Sequence, residues 1–267
     1  MPLNLTQPRF NSVLIRSSLF VSSAQSIVID HTTTISDQDQ SFVDSYFDHL
    51  ASEQSSAQGG ALKVVRGSCS LKRCLFLQCS STNSGAAHFE ETKVEMEEVN
   101  FTDNTALITS GAVGMRHSTA VIKSTVMFHN EAFHSVGGLD SYGGSLTFQG
   151  LFVENIANEA PGACNVFSTQ GKIIDTEFIH NHHAVSLSTS TFSIESSSFA
   201  GTAPHVTIYR SNPKLIKCSF DSKIADSVII IDGDVENPVE NCKENVMTYY
   251  KSNKTPKMEW TLHSNRS

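Results

Sequence analysis

The sequence predicts an all-β chain wound into a right-handed parallel β-helix of about eight coils, on three observations. First, residues 85–181 repeat themselves: GAAHFEETKVEMEEVNFTDN is followed by GAVGMRHSTAVIKSTVMFHN, GGLDSYGGSLTFQGLFVEN and GACNVFSTQGKIIDTEFIHN. A fixed period of this kind marks stacked units that bury their apolar faces against their neighbours. Second, Phe76, Phe101, Phe128, Phe152, Phe178, Phe199 and Phe220 recur at nearly even intervals, longer up to Phe178 and shorter after it. Third, the units consist of short runs of Val, Ile, Thr and Phe separated by Gly, Ser and Asn, which is strand-and-turn chemistry, and none is periodic at the helical repeat. A propeller blade needs about 40 residues, and a leucine-rich repeat needs L-x-x-L-x-L, which is missing. One coil per unit fits, with like positions one strand spacing apart, ~4.8 Å.

The elements follow in order. Residues 1–25, with Pro2 and Pro8, read as an irregular lead-in or cap. The stretch SVLIRSSLFVSSAQ resembles a secretory signal, but Arg16 interrupts its apolar region, so a cap is the preferred reading. The β-helix proper is expected over residues 26–245. It begins with a short strand at residues 26–30, continues through the polar stretch HTTTISDQDQ, which reads as a loop, and reaches a second segment at residues 42–50. From Gly59 the coils run steadily to Phe220, and residues 227–231 add one more strand. Residues 246–267 are polar and Lys-rich and read as a flexible tail.

Stacking assigns a role to each repeated position. The phenylalanines form an inward aromatic column. The pairs Gly85-Ala86, Gly111-Ala112 and Gly162-Ala163 mark a corner where a large side chain cannot fit or where φ must be positive. Asn104, Asn130, Asn155 and Asn181 form a ladder whose amides serve each other and the corner backbone. The Asn130 unit reads FHN instead of FxxN, which requires a bulge or skip. Cys74 and Cys218, two residues before a repeat Phe, share its inward face. The six cysteines, Cys69, Cys74, Cys79, Cys164, Cys218 and Cys242, contain no CxxC and read as buried thiols, with a Cys69–Cys79 disulfide left open.

GGAL at residues 59–62, with FTDN, FVEN and FIHN at 101–104, 152–155 and 178–181, resembles the paired GGA-[ILV] and FxxN repeats of chlamydial polymorphic outer membrane proteins. The resemblance spans residues 59–181. It implies a passenger-type β-helix, extracellular or at a cell surface and adhesive in character. This chain departs from that pattern in holding one complete GGA-[ILV] and, in its later coils, Phe without Asn.

Bulk chemistry narrows the partners. A formal charge of −8 and a pI near 5.7 argue against nucleic acid, which requires clustered Lys and Arg. No apolar run approaches the ~20 residues of a membrane span, so no membrane insertion is expected.

Several residues are candidates for a site. Asp30-His31 in VIDH resembles a pectate lyase tetrad. That chemistry needs a calcium cluster and a proton-accepting Arg, whereas only Arg66, Arg73, Arg116 and Arg210 lie along the body, so the match reads as chance. Asp103 and Glu154 hold the same place relative to their Phe two coils apart, ~9.6 Å, within reach of an inverting carboxylate pair. A solvated column is the commoner outcome. His180, His182 and His183 with Glu154 could hold zinc, but read as a surface cluster. Asp232-Gly233-Asp234 lacks the Glu of a calcium loop and reads as a turn. Sequons at Asn4, Asn100, Asn253 and Asn265 permit glycosylation, with Asn100 expected to point outward. No residue is therefore assigned as catalytic, cofactor-binding or metal-ligating, and no cofactor is expected. The expected function is a non-enzymatic, adhesin-like scaffold binding a host protein or glycan along one face. The alternative is a polysaccharide lyase or glycoside hydrolase working in a groove along the helix.

Overall fold

A computed structural model describes residues 27–52, 56–232 and 238–244. The expectations for residues 1–25 and 246–267, for Asp234 and for the sequons at Asn4, Asn253 and Asn265 lie outside them. The described residues form a right-handed parallel β-helix of about eight turns. Each coil has three faces whose inward columns stay aligned through the stack, with register shifts between Ile122 and Thr125 and between Ile179 and His182. The first carries Thr33, Leu62, Ala87, Val113, Leu139, Cys164, Val185, Val206 and Val228 side by side. The second aligns Phe42, Leu71, Met96, Ile122, Phe148, Ile173, Ile194, Leu215 and Val239. The third aligns Phe47, Phe76, Phe101, Met127, Phe152, Phe178, Phe199 and Phe220. These inward columns supply the core.

The aromatic column is real, with one member exchanged. Phe152, Phe178, Phe199 and Phe220 stack at centroid separations of 5.1, 4.7 and 5.0 Å, and Phe47 extends the column below Phe76 at 4.3 Å. Phe128 is not a member. Met127 pairs with Phe101 and Phe152, is fully buried, and stands three residues before Asn130 as each Phe stands before its Asn. No skip is needed, because a flexible thioether replaces the ring. Counted through Met127, the interval between coils is constant to within one residue from Asn104 to Asn181.

The coils turn at corners that cost backbone energy. Asp37, Arg66, Glu91, His117, Ser168, Thr189, Arg210 and Asp232 occupy the corner between the first and second faces, all at positive φ between 45° and 57°. Asp44, Arg73, Glu98, Ser124, Asp175, Ser196, Lys217 and Asn241 do the same between the second and third. L-residues pay roughly 1–2 kcal/mol each for that conformation, so something must hold it in place. At several of these corners the residue that follows turns inward and bonds to the next coil. At the first corner, the amides of Thr92, Thr169 and Ser190 donate to Ser118 Oγ, Ser190 Oγ and Ser211 Oγ at 3.1, 3.1 and 2.9 Å. Each of the hydroxyls of Thr92, Thr169 and Ser190 donates in turn to a carbonyl two residues back.

The third corner uses the expected asparagines. Asn104, Asn130 and Asn155 each donate Nδ2 to Oδ1 of the next Asn at 2.8–2.9 Å, and that same Oδ1 accepts their backbone N–H. Their amides also reach the carbonyls of Phe76, Phe101 and Met127. Beyond this corner lies a short fourth face, with Ala51, Ser80, Thr105, Glu131 and Ile156 in register.

The glycine column is explained by close approach. A Cβ on Gly85, Gly111 or Gly162 would lie 2.2, 2.4 or 2.1 Å from a carbonyl oxygen, Gly137 O in the case of Gly111, and none of the three has positive φ. One expectation is corrected. HTTTISDQDQ is not a loop: residues 33–43 form a strand pairing with Leu62–Lys72. The alternation there is weak because most of its residues face solvent and, among the described residues, it pairs on one side alone. Ile224–Ser227 forms one helical turn. The cysteines are free thiols as expected, five of them buried and Cys242 half-buried; Cys69 and Cys79 are not bonded, and burial pushes the pKa of both up to about 12.

Candidate functional site

The coil between Phe152 and Phe178 is longer than the coils from Phe178 to Phe199 and from Phe199 to Phe220, although each pair is in register. The residues lost are those of the fourth face and its loop. Asn130 and Asn155 are followed by segments running out to Gly138 and Ala163, whereas Asn181 reaches the buried Ala184 in three residues. Long coils therefore overhang the first face, and short coils leave it open. Where one type gives way to the other lies an open groove of about 440 Å³.

The groove is built from two sets of residues. Its floor is the outward side of the first face, where Asn165, Ser186, Thr207 and Ile229 stand in register on successive coils. Alternation along each strand turns Cys164, Val185 and Val206 into the core and these residues out. Its walls are Ser135, Glu159, Ala160 and Pro161 from the long loops, with His183 and Pro204 from the short corners. His134 Nδ1 lies 3.3 Å from Glu159 Oε2, tying neighbouring loops together.

At the closed end, Asn165 Nδ2 donates to Asp140 Oδ1 at 2.8 Å. Enclosure of that carboxyl by protein pushes its pKa above the usual carboxylate range, with the Asn165 bond opposing the shift. The same outward column then passes under the long coils. Gly114 leaves room for Ser84 Oγ, which would lie 2.1 Å from a Cβ there, and Ser84 shares a 3.1 Å hydrogen bond with His88 Nδ1. His88 is 2% exposed, and burial depresses its pKa to about 4.

The candidate pair from the sequence is not assembled. Asp103 and Glu154 do share the outer column of the third corner, but His129 stands between them and donates Nδ1 to Asp103 Oδ1 at 2.7 Å. Asp103, first among the causes, raises the His129 pKa, and Glu154 adds to it. The site is thus a hydrogen-bonded corner with no opposed carboxylates across an open cleft. His180 follows Glu154 in that column, while His182 donates Nδ1 to Ala157 O at 2.6 Å and stacks on His183. Among the described residues no group of three His, Cys, Asp or Glu side chains is placed to hold a metal ion. Asp30 and His31 pair with each other at 2.9 Å in the open. Arg66, Arg73 and Arg210 each pair with the Asp one coil away in their corner column. Asn100 does lie on the side opposite Phe101, but between Leu75 and Val126 it is only 8% exposed, which contradicts an accessible sequon there.

The groove residues went unnoticed in the sequence because Asn, Ser and Thr at outward strand positions are ordinary. The closer spacing of Phe199 and Phe220 was the available signal. No family model and no curated protein matches the chain. Among the described residues, no helix is long and apolar enough to cross a membrane.

Proposed function

We propose that this chain is a non-enzymatic, adhesin-like β-helix scaffold, secreted or held at a cell surface, which binds a protein or glycan along its first face. The observation that carries the reading is the groove: a row of small polar side chains repeated once per coil, walled by loops that only the long coils possess. A rigid parallel stack fixes such a row at ~4.8 Å intervals, so the ordering cost of binding falls on the partner. The resemblance of the GGAL and FxxN repeats to surface proteins supports the location. The second reading, a polysaccharide lyase or hydrolase, is favoured by one feature, the Asp140 carboxyl, whose raised pKa suits a general acid.

One experiment separates them. Purified protein is incubated with uronic and neutral polysaccharides, with and without calcium, while reducing ends and unsaturated uronate absorbance are followed; binding to intact cells is measured in parallel. Saturable cell binding without turnover is expected. Turnover abolished by Asp140→Asn would make the protein an enzyme.

A further inference from the structure

We infer that the groove takes a neutral oligosaccharide, with Asn165, Ser186 and Thr207 as successive contact points on its floor. The inference rests on the binding reading above and assigns its ligand class. Three features of the groove argue for it.

The first is backbone availability. The first-face strands at residues 164–167, 185–188 and 206–209 are each paired on both sides. An extended peptide recognised by strand addition needs a free edge, and this floor has none. Recognition must go through side chains.

The second is the chemistry of those side chains. A hydroxyl both donates and accepts, and a carboxamide offers two donors and an acceptor. A sugar hydroxyl has the same dual character, so a polyhydroxylated chain can exchange a donor and an acceptor with each coil it crosses. Apolar surface from Ile229 and Ile231 at the open end suits the C–H faces of a sugar ring. The volume of about 440 Å³ falls within the range of small-molecule sites, ~300–1,000 Å³.

The third is charge. Glu159 sets a carboxylate in the wall, and Asp140 sets a carboxyl behind Asn165. The Glu159 carboxylate accepts hydrogen bonds from neutral hydroxyls and opposes a uronate or a sulfated sugar, because like charges brought together cost free energy.

The test uses the full chain and a panel of neutral gluco-, manno- and xylo-oligosaccharides beside oligogalacturonates, with affinity read by calorimetry. Ser186→Tyr and Thr207→Tyr fill the floor with a large side chain at positions already facing out. Thr191→Tyr places the same side chain on the exposed outer side of the second face and serves as the control. Neutral oligomers are expected to bind, with affinity at least tenfold weaker in both floor variants and unchanged in Thr191→Tyr. Binding of oligogalacturonates alone, no binding of neutral oligomers, or equal affinity in all variants would overturn the assignment. The two proposals fail differently. Cell binding that survives without any affinity for neutral oligosaccharides removes this ligand class and leaves the scaffold. Neutral oligomers that bind in the groove and are cleaved there keep the site and remove the non-enzymatic reading.

Discussion

The long coils and the short coils solve the same problem with different chemistry. In the coils closed by Asn104, Asn130 and Asn155, the third corner is held by carboxamides that each bond to the next coil and to a carbonyl of the previous one. The short coils lose that ladder after Asn181. There Asp221 takes the Gly201 amide at 2.8 Å and His205 Nε2 at 2.9 Å, so hydrogen bonds to a carboxylate replace the amide ladder. The inward aromatic column crosses the boundary without change. Core and corner are therefore separable: the core sets the stack, and the corner sets how much loop each coil carries. The groove is a product of that second variable.

The largest expected effect breaks the shared part. Phe152→Ala, just before the boundary, removes a fully buried ring between neighbours and should cost ~3–5 kcal/mol in a denaturant melt. Glu154→Ala, on the exposed corner two residues away, should change stability by less than ~0.5 kcal/mol. Equal effects would mean that the inward column does not carry the stack.

The next prediction sharpens the contrast through pH. His88 lies in the outward column that the long coils cover, and its folded pKa is depressed to about 4 by burial. A histidine held neutral in the fold contributes stability that is present above its unfolded pKa, ~6.5, and is lost as pH falls towards 4. Stability should drop by at most ~3 kcal/mol across that window, and His88→Gln should flatten the slope. Ser186 holds the equivalent position in the short coils and has no such group. An unchanged slope in the variant would show that burial does not depress the His88 pKa.

The smallest effects compare the two kinds of ladder. Asn155→Ala strands the Asn130 amide and the Met127 carbonyl in a buried corner and should cost ~2 kcal/mol. Ser190→Ala removes one hydroxyl that accepts Thr169 N and should cost ~1 kcal/mol. The reverse order would mean that the hydroxyl corners dominate.

The parts legible in the sequence were those with unusual residues at fixed spacing. Phe, Asn and Gly are individually distinctive, so their columns announced the coil, the third corner and the close approach at Gly85, Gly111 and Gly162. Met127 was hidden because Phe128 stood next to it and took its place in the count. The hydroxyl ladders were hidden because Ser and Thr are abundant everywhere in this chain, and the positive-φ corners because they accept Asp, Arg, Glu, His or Ser indifferently. The strand at residues 33–43 was hidden because, among the described residues, it pairs on one side alone and most of its side chains face solvent. The shared outer column of Asp103 and Glu154 was legible, but the residue between them was not. The miscounted unit concealed His129, which sits between them.

The most direct measurement is residue-resolved hydrogen exchange with and without a saturating neutral oligosaccharide. Binding in the opening where long coils give way to short ones should slow exchange in residues 158–165, 183–187 and 205–208, and leave the second face at 191–195 unchanged. Protection confined to the second face, or to the third-corner column at Asp103, His129 and Glu154, would show that the binding surface lies elsewhere on the helix.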